Sequence, residues 1–218
     1  MSEGFQQDLE YVLRTVATTS VEREGEFGDL DAVAGDGDLG YSLARGFEKV
    51  LADWDGLDRS TPGVFLKKVA VIVTSRVGGT SGPLWGTGLL RAAGTFGDAD
   101  TVDTAGVVTA LRAAIEGVMA RGGASLGDKT FLDALAPATD VLLQQASAGA
   151  DSTTAVAAFA AELERTAEAT TTLQARRGRA SYTGERSIGS PDAGAVVMAR
   201  MGRAVSDGWA TRQQHPDH

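Results

Sequence analysis

The 218-residue chain contains no cysteine. That removes disulfides, thiolate metal sites and cysteine nucleophiles together, and it fits a reducing compartment, so a cytoplasmic location is expected. Histidine is nearly as scarce: the 2 copies, His215 and His218, both lie in the final HPDH, and residues 211–218 read as a disordered tail. A histidine general base or phosphohistidine inside the fold is therefore not expected. No apolar run reaches the roughly 18–20 residues of a membrane-spanning helix. The N-terminal MSEGFQQDLEYV has neither the basic nor the apolar region of a signal peptide. Positive charge is also in deficit. With 20 Lys and Arg against 29 Asp and Glu, the net charge is -9, which argues against nucleic acid or an anionic membrane as a partner. Carboxylates, hydroxyls, arginines, a metal or a partner's side chains are left to carry any chemistry.

Alternating short strands and hairpin signals are missing as well, and what is present is helical. Phe5, Leu9, Val12, Leu13 and Val16 recur at helical spacing in a segment ending near Gly25 or Gly28. Helices are further expected over Tyr41–Leu51, from Ser60-Thr61-Pro62 onward, and over Leu84–Ala93, Thr104–Met119, Thr130–Gln145 and Ser152–Gln174. A last one, Ala193–Trp209, is capped by Asp192. The β-branched run Val69–Val73 fits a buried strand or a helix equally. The expectation is an all-α domain of about eight helices over residues 1–210. In an up-and-down arrangement alternate loops lie at one end, so four glycine-bearing polar segments can converge: 35–40, 77–83, 121–130 and 178–191.

The segment GDLDAVAGDGDLG, residues 28–40, places Asp29, Asp31, Asp36 and Asp38 among small residues with no lysine or arginine nearby. It reads as a flexible loop and contains the letters of a dinucleotide fingerprint, Gly35-x-Gly37-x-x-Gly40. However, Asp29-Leu30-Asp31-Ala32-Val33 makes a poor buried strand, and the carboxylates would repel a pyrophosphate. An EF-hand counted from Asp36 puts Phe47 where a bidentate glutamate belongs. Magnesium, a hard cation held by a few carboxylates and by nucleotide phosphates, fits Asp31, Asp36 and Asp38; a solvated acidic loop with capping aspartates fits the same letters. VGGTSGP offers backbone amides and the hydroxyls of Thr80 and Ser81 before a helix, the make-up of either a phosphate seat or a tight turn. RGGASLGDKT has a lysine out of register for a P-loop and reads as a helix-capping loop. Arg176, Arg177, Arg179 and Arg186 offer guanidinium forks suited to phosphate, or a solvated loop paired with Glu185. Tyr41, Trp85 and Phe131 are either stacking surfaces for a base or core aromatics.

Together LDAVAGDGDLG, ARGFEKV, VGGTSGPLWGT, LRAA, RGGASLGDKTFLDALAPA and QARRGRASYTGERSIGSPDAGA resemble the nucleotide-binding L subunit of dihydroxyacetone kinases, in order, from about residue 5 to residue 205. The resemblance implies a barrel of eight antiparallel up-and-down helices with Mg-nucleotide in loops at one end, and Val69–Val73 as helix. It implies that Asp31, Asp36 and Asp38 bind two magnesium ions and act in catalysis through them. Contacts to ADP or ATP are implied for Leu39, Gly40, Tyr41, Ser42, Thr80, Ser81, Gly122, Thr130, Phe131, Arg179, Asp192, Ala193 and Gly194. One departure is visible: the family usually has histidine, or sometimes threonine, where this chain has Leu39, and asparagine where it has Ser42.

The implied activity is phosphoryl transfer to dihydroxyacetone or a related short ketose or polyol held on a separate K subunit. The nucleotide is either exchangeable ATP or a retained ADP recharged by an M subunit of the phosphotransferase system. A non-catalytic sensor that contacts a transcription factor is the other role the family offers. The chain leaves no residues for a K-type domain, and it is expected to be inert alone.

Overall fold

Nine α-helices form among the described residues, 3–97, 99 and 101–212, of the computed structural model. They are α1 (Glu3–Glu22), α2 (Glu24–Ala32), α3 (Leu39–Ala52), α4 (Pro62–Arg76), α5 (Ser81–Phe96), α6 (Thr104–Gly122), α7 (Leu132–Ser147), α8 (Ser152–Ala169) and α9 (Ala193–Trp209). Short 3-10 turns follow α3 and α8, and two more, broken by a kink at Gly184, lie within Arg179–Ser187. No strand occurs among the described residues. The starts follow from capping chemistry. Thr61 Oγ1 accepts from Val64 N at 3.1 Å with Pro62 in the first turn, and Asp103, Asp151 and Asp192 each accept from the amide three residues on. Val69–Val73 lies inside α4 and is helical.

Eight of the helices close a ring. Each of α3 to α9 packs against the next, and α9 returns to α1, which packs against α3. Neighbours run antiparallel. Arg212, just after α9, pairs with Asp8 near the start of α1, and Gly202 of α9 rests on Leu163 and Ala160 of α8. The ring has an apolar inside, with Phe47, Phe65, Val69, Leu132 and Leu163 almost fully buried. An apolar lumen of about 340 Å³ remains between the helices, lined by residues such as Leu13, Phe47, Leu89, Met201 and Trp209. No helix among the described residues is long and apolar enough to cross a membrane.

The ninth helix, α2, stands outside the ring against α3 and α9. It corrects the reading of residues 28–40 as one flexible loop: Asp29 and Asp31 are helical, and only residues 33–38 form the connection. Apart from Leu30, Phe27 is the one large apolar residue in α2. It is fully buried, and so little apolar patterning hides the helix from a periodicity search. Of the tail, Thr211 and Arg212 still belong to the fold, with Arg212 over the Trp209 ring and bonded to Asp8. Residues 213–218 lie outside the described residues.

Candidate nucleotide and metal site

The up-and-down ring puts the starts of α3, α5, α7 and α9 at one end, together with the connections that precede them. Each helix start carries roughly half a positive charge from unpaired amides, so this end favours anions. Contacts around the rim show the connections meeting. Gly78 stands against Ser42, Gly122 against Leu84, and Gly194 against Phe131, whose ring stacks on Trp85 at 5.8 Å. Arg179 closes the circuit with its Nε 2.7 Å from the Asp36 carboxylate.

Asp31 lies in the last turn of α2, Asp36 in the connection, and Asp38 precedes the first residue of α3. One carboxylate oxygen from each lies within 4.8 Å of the others. Two glycines make this possible. Gly37 adopts φ 77 and donates its amide to Asp31 Oδ2 at 2.9 Å. A Cβ on Gly35 would fall 2.3 Å from the Asp31 carboxylate, so only glycine lets the chain fold over it. Burial pushes the Asp31 carboxyl up, the amides of Leu39 and Gly37 oppose this, and the charges of Asp36 and Asp38 add to it. Three carboxylates at this spacing, only partly offset by one exposed arginine, match the all-oxygen donor set of a hard divalent cation.

Every residue expected at the site stands at this end of the barrel. Leu39 turns its side chain into the core, so what it presents to the loop is its amide. Gly40 is buried against α2, while Ser42 is nearly buried and Tyr41 is exposed with the Arg45 guanidinium over its ring. Thr80 precedes α5 and makes no side-chain cap, leaving its hydroxyl and that of Ser81 for another partner. Thr130 N donates to Asp133 Oδ2 at 2.8 Å, and Gly122 ends α6. Asp192 caps α9 and accepts from Ala195 N at 2.8 Å, with Ala193 and Gly194 in the first turn. Burial pushes its carboxyl up to about 7; Asp133 and Asp31 act in the same direction, and Lys129 and the Ala195 amide against it.

The arginine segment pairs with Asp128 and Asp36 rather than with Glu185. Arg177 Nε bonds Asp128 at 2.9 Å, and Arg179 bonds Asp36. The sequence reading also missed Asp133, which accepts the amides of Gly127 and Thr130, and the buried pair Asp128 and Lys129. The available signal was a pair of opposite charges set among small residues in RGGASLGDKT.

The chain is an all-helical barrel domain with four helix starts and an acidic trio at one mouth. Residues 33–207 match the DAK2 domain, and the chain belongs to that family. It is 37% identical over 201 residues to the PEP-dependent dihydroxyacetone kinase, ADP-binding subunit DhaL, of Escherichia coli, covering 92% of this chain and 95% of that one. It is also 37% identical over 211 residues to the L-erythrulose 1-kinase of Mycolicibacterium smegmatis, covering 94% of this chain but only 37% of that enzyme. The chain thus spans about a third of the larger kinases it matches and nearly the whole of the separate subunit. In fold it superposes on the dihydroxyacetone kinase of C. freundii, crystallised with AMP-PNP and Mg2+, with a TM-score of 0.72, 24% identity and 92% of this chain covered.

Proposed function

We propose that this chain is the nucleotide-binding subunit of a dihydroxyacetone-type kinase: it holds ADP or ATP with magnesium and passes the terminal phosphoryl group to a short ketose or polyol carried by a separate K-type subunit. The observation that carries this reading is the acidic trio, with carboxylate oxygens within 4.8 Å, set among helix starts that attract phosphate. A bare trio of acids repels a polyphosphate; with a divalent cation between them the two attract. Support for a separate-subunit role comes from the E. coli relative, named an ADP-binding subunit and matched over 95% of its length.

In this reading Asp31, Asp36 and Asp38 hold magnesium, one or two ions, which would neutralise charge on the phosphoryl oxygens during transfer. The chain's own residues do the positioning. The amides of Leu39 and Gly40 and the hydroxyls of Thr80 and Ser81 face the phosphates. Arg179, released from Asp36, offers a guanidinium fork to the same group. Phe131, Gly122 and the first turn of α9 line the remainder. Because the Leu39 side chain packs inward, the histidine usual in the family is replaced by a backbone contact alone. Val33, Tyr41, Leu126, Tyr182 and Ile188 are exposed on the connections and helix start at this end, an apolar rim suited to docking the acceptor-bearing subunit over the nucleotide. The M subunit of a phosphotransferase system is the donor if ADP is retained rather than exchanged.

The test is ADP binding by calorimetry with and without magnesium, in wild type and Asp36→Asn. Magnesium-dependent binding that the substitution weakens at least tenfold is expected. Equal affinity in all conditions overturns the site. Mixing with a K subunit and Mg-ATP then separates a working kinase subunit from a purely regulatory one, since only the former gives steady phosphorylated product.

A further inference from the structure

Lys129 is a buried lysine, 3% exposed, with a left-handed backbone. Its φ of 62 is the one positive value at a non-glycine residue among the described residues. A side chain in that region costs on the order of 1 kcal/mol, and burying an ammonium costs more unless its three donors are met. Here they are met by backbone alone. Nζ donates to Leu173 O at 3.0 Å, to Ser190 O at 2.7 Å, and to Ser187 O. These carbonyls belong to the two ends of one excursion, residues 173–190, which leaves the barrel after α8 and returns before α9. Burial holds the ammonium's pKa below its ordinary value, with Asp192 acting against this.

The base of the excursion is closed around that ammonium. Ala175 N donates to Ser187 Oγ at 2.9 Å and Gly189 N to Thr171 O at 3.0 Å. The neighbouring Asp128 adds a second fastening: its carbonyl accepts from Arg176 N at 2.9 Å and its carboxylate from Arg177 Nε. At the free part of the loop stand the exposed Tyr182 and Arg179, whose guanidinium reaches Asp36. None of the Lys129 donors faces the acidic trio.

We propose that Lys129 is a positioning residue that clamps the base of the 173–190 loop and thereby delivers Arg179 to the phosphate site. The inference rests on the nucleotide-binding reading above. Closing a loop at its base lowers the entropy lost when its tip engages a ligand, so the clamp raises affinity without touching the ligand.

The experiment uses the absence of cysteine. Tyr182→Cys, at an 87% exposed position, gives a single spin-label site on the loop. In Lys129→Met the label's spectrum is expected to narrow to that of a mobile segment while the helical circular dichroism is retained. Affinity for Mg-ADP should fall about tenfold or more. Arg179→Ala should weaken binding much less in the Lys129→Met background than in wild type, because both changes remove the same contact. Should Lys129→Met not fold, Arg177→Ala releases the second fastening at the surface, and a smaller change in the same direction is expected. Folded variants with wild-type label mobility, or fully additive losses of affinity, overturn the proposal. Absence of Mg-ADP binding in the wild type refutes the nucleotide reading instead, and the label still reports on the clamp.

Discussion

Arg179 Nε lies 2.7 Å from the Asp36 carboxylate, across the mouth of the barrel. The arginine side chain is 64% exposed, so in water this pair contributes at most about 1 kcal/mol to folding. Its value is in placement: the same guanidinium that balances Asp36 is within reach of whatever Asp36 binds. Arg179→Ala is therefore expected to leave the thermal midpoint almost unchanged. Affinity for Mg-ADP should fall about tenfold to a hundredfold, the worth of a lost charge-assisted hydrogen bond. Calorimetry beside a melting curve reads both. A large loss of stability with unchanged affinity would make Arg179 a structural residue.

The α2–α3 contact admits no side chain at Gly40. A Cβ there would meet the Glu24 carbonyl oxygen at 2.0 Å and the Gly28 nitrogen at 2.6 Å. Gly40→Ala must push α2 away from α3 and move Asp31 with it. A cost of about 1–3 kcal/mol is expected by denaturant unfolding, together with loss of magnesium-dependent ADP binding. Gly56→Ala is the control, since a Cβ there has open space. If Gly40→Ala binds like wild type, Asp31 does not depend on this contact.

Much of this is legible in the sequence. Asp192 announces its helix because a carboxylate before an apolar-periodic run satisfies a free amide, and that cap is made; Asp103 and Asp151 cap the helices expected from Thr104 and Ser152 by the same chemistry. The acidic trio was legible as residue types. Its geometry was not, because it depends on a turn that brings the end of α2 back over itself at Gly35 and Gly37. The helix α2 was hidden because Phe27 and Leu30 are too few to mark a period. Lys129 was illegible for another reason: its partners Leu173 and Ser190 are 44 and 61 residues distant, and nothing in local spacing reports a contact made only in the tertiary fold.

Asp192 predicts a pH dependence of stability. Its carboxyl is pushed up to about 7 in the native state from an ordinary 3.8. Between those values the folded chain keeps a proton that the unfolded chain releases. The associated stability is thus fully present below about pH 4 and lost as pH rises through about 7. The full interval corresponds to roughly 4 kcal/mol, a ceiling because the residue keeps some solvent access. Asp192→Asn retains an oxygen for the Ala195 amide and removes the titration. Urea unfolding at several pH values should show the slope between pH 4 and 7 flattened in the variant. An unchanged slope assigns the effect to other groups.

The acidic trio sets stability against binding. Without a cation, Asp36 and Asp38 disfavour the charged form of the partly buried Asp31, so the bare cluster costs folding energy. Asp38→Asn removes one of those charges and is expected to raise the melting temperature in the presence of a chelator. In wild type, magnesium should raise the melting temperature by binding the native state alone. The gain is RT ln(1 + [Mg]/Kd), about 2.7 kcal/mol at a hundredfold excess over Kd. In Asp38→Asn that gain should largely vanish, so the order of the two melting curves inverts between chelator and saturating magnesium. Arg45→Ala, which removes exposed pairs with Glu24 and Glu48, should shift both curves equally. Two curves that keep the same order in both conditions would mean that Asp38 is not a metal ligand, and that the trio is an acidic surface with no ion to hold.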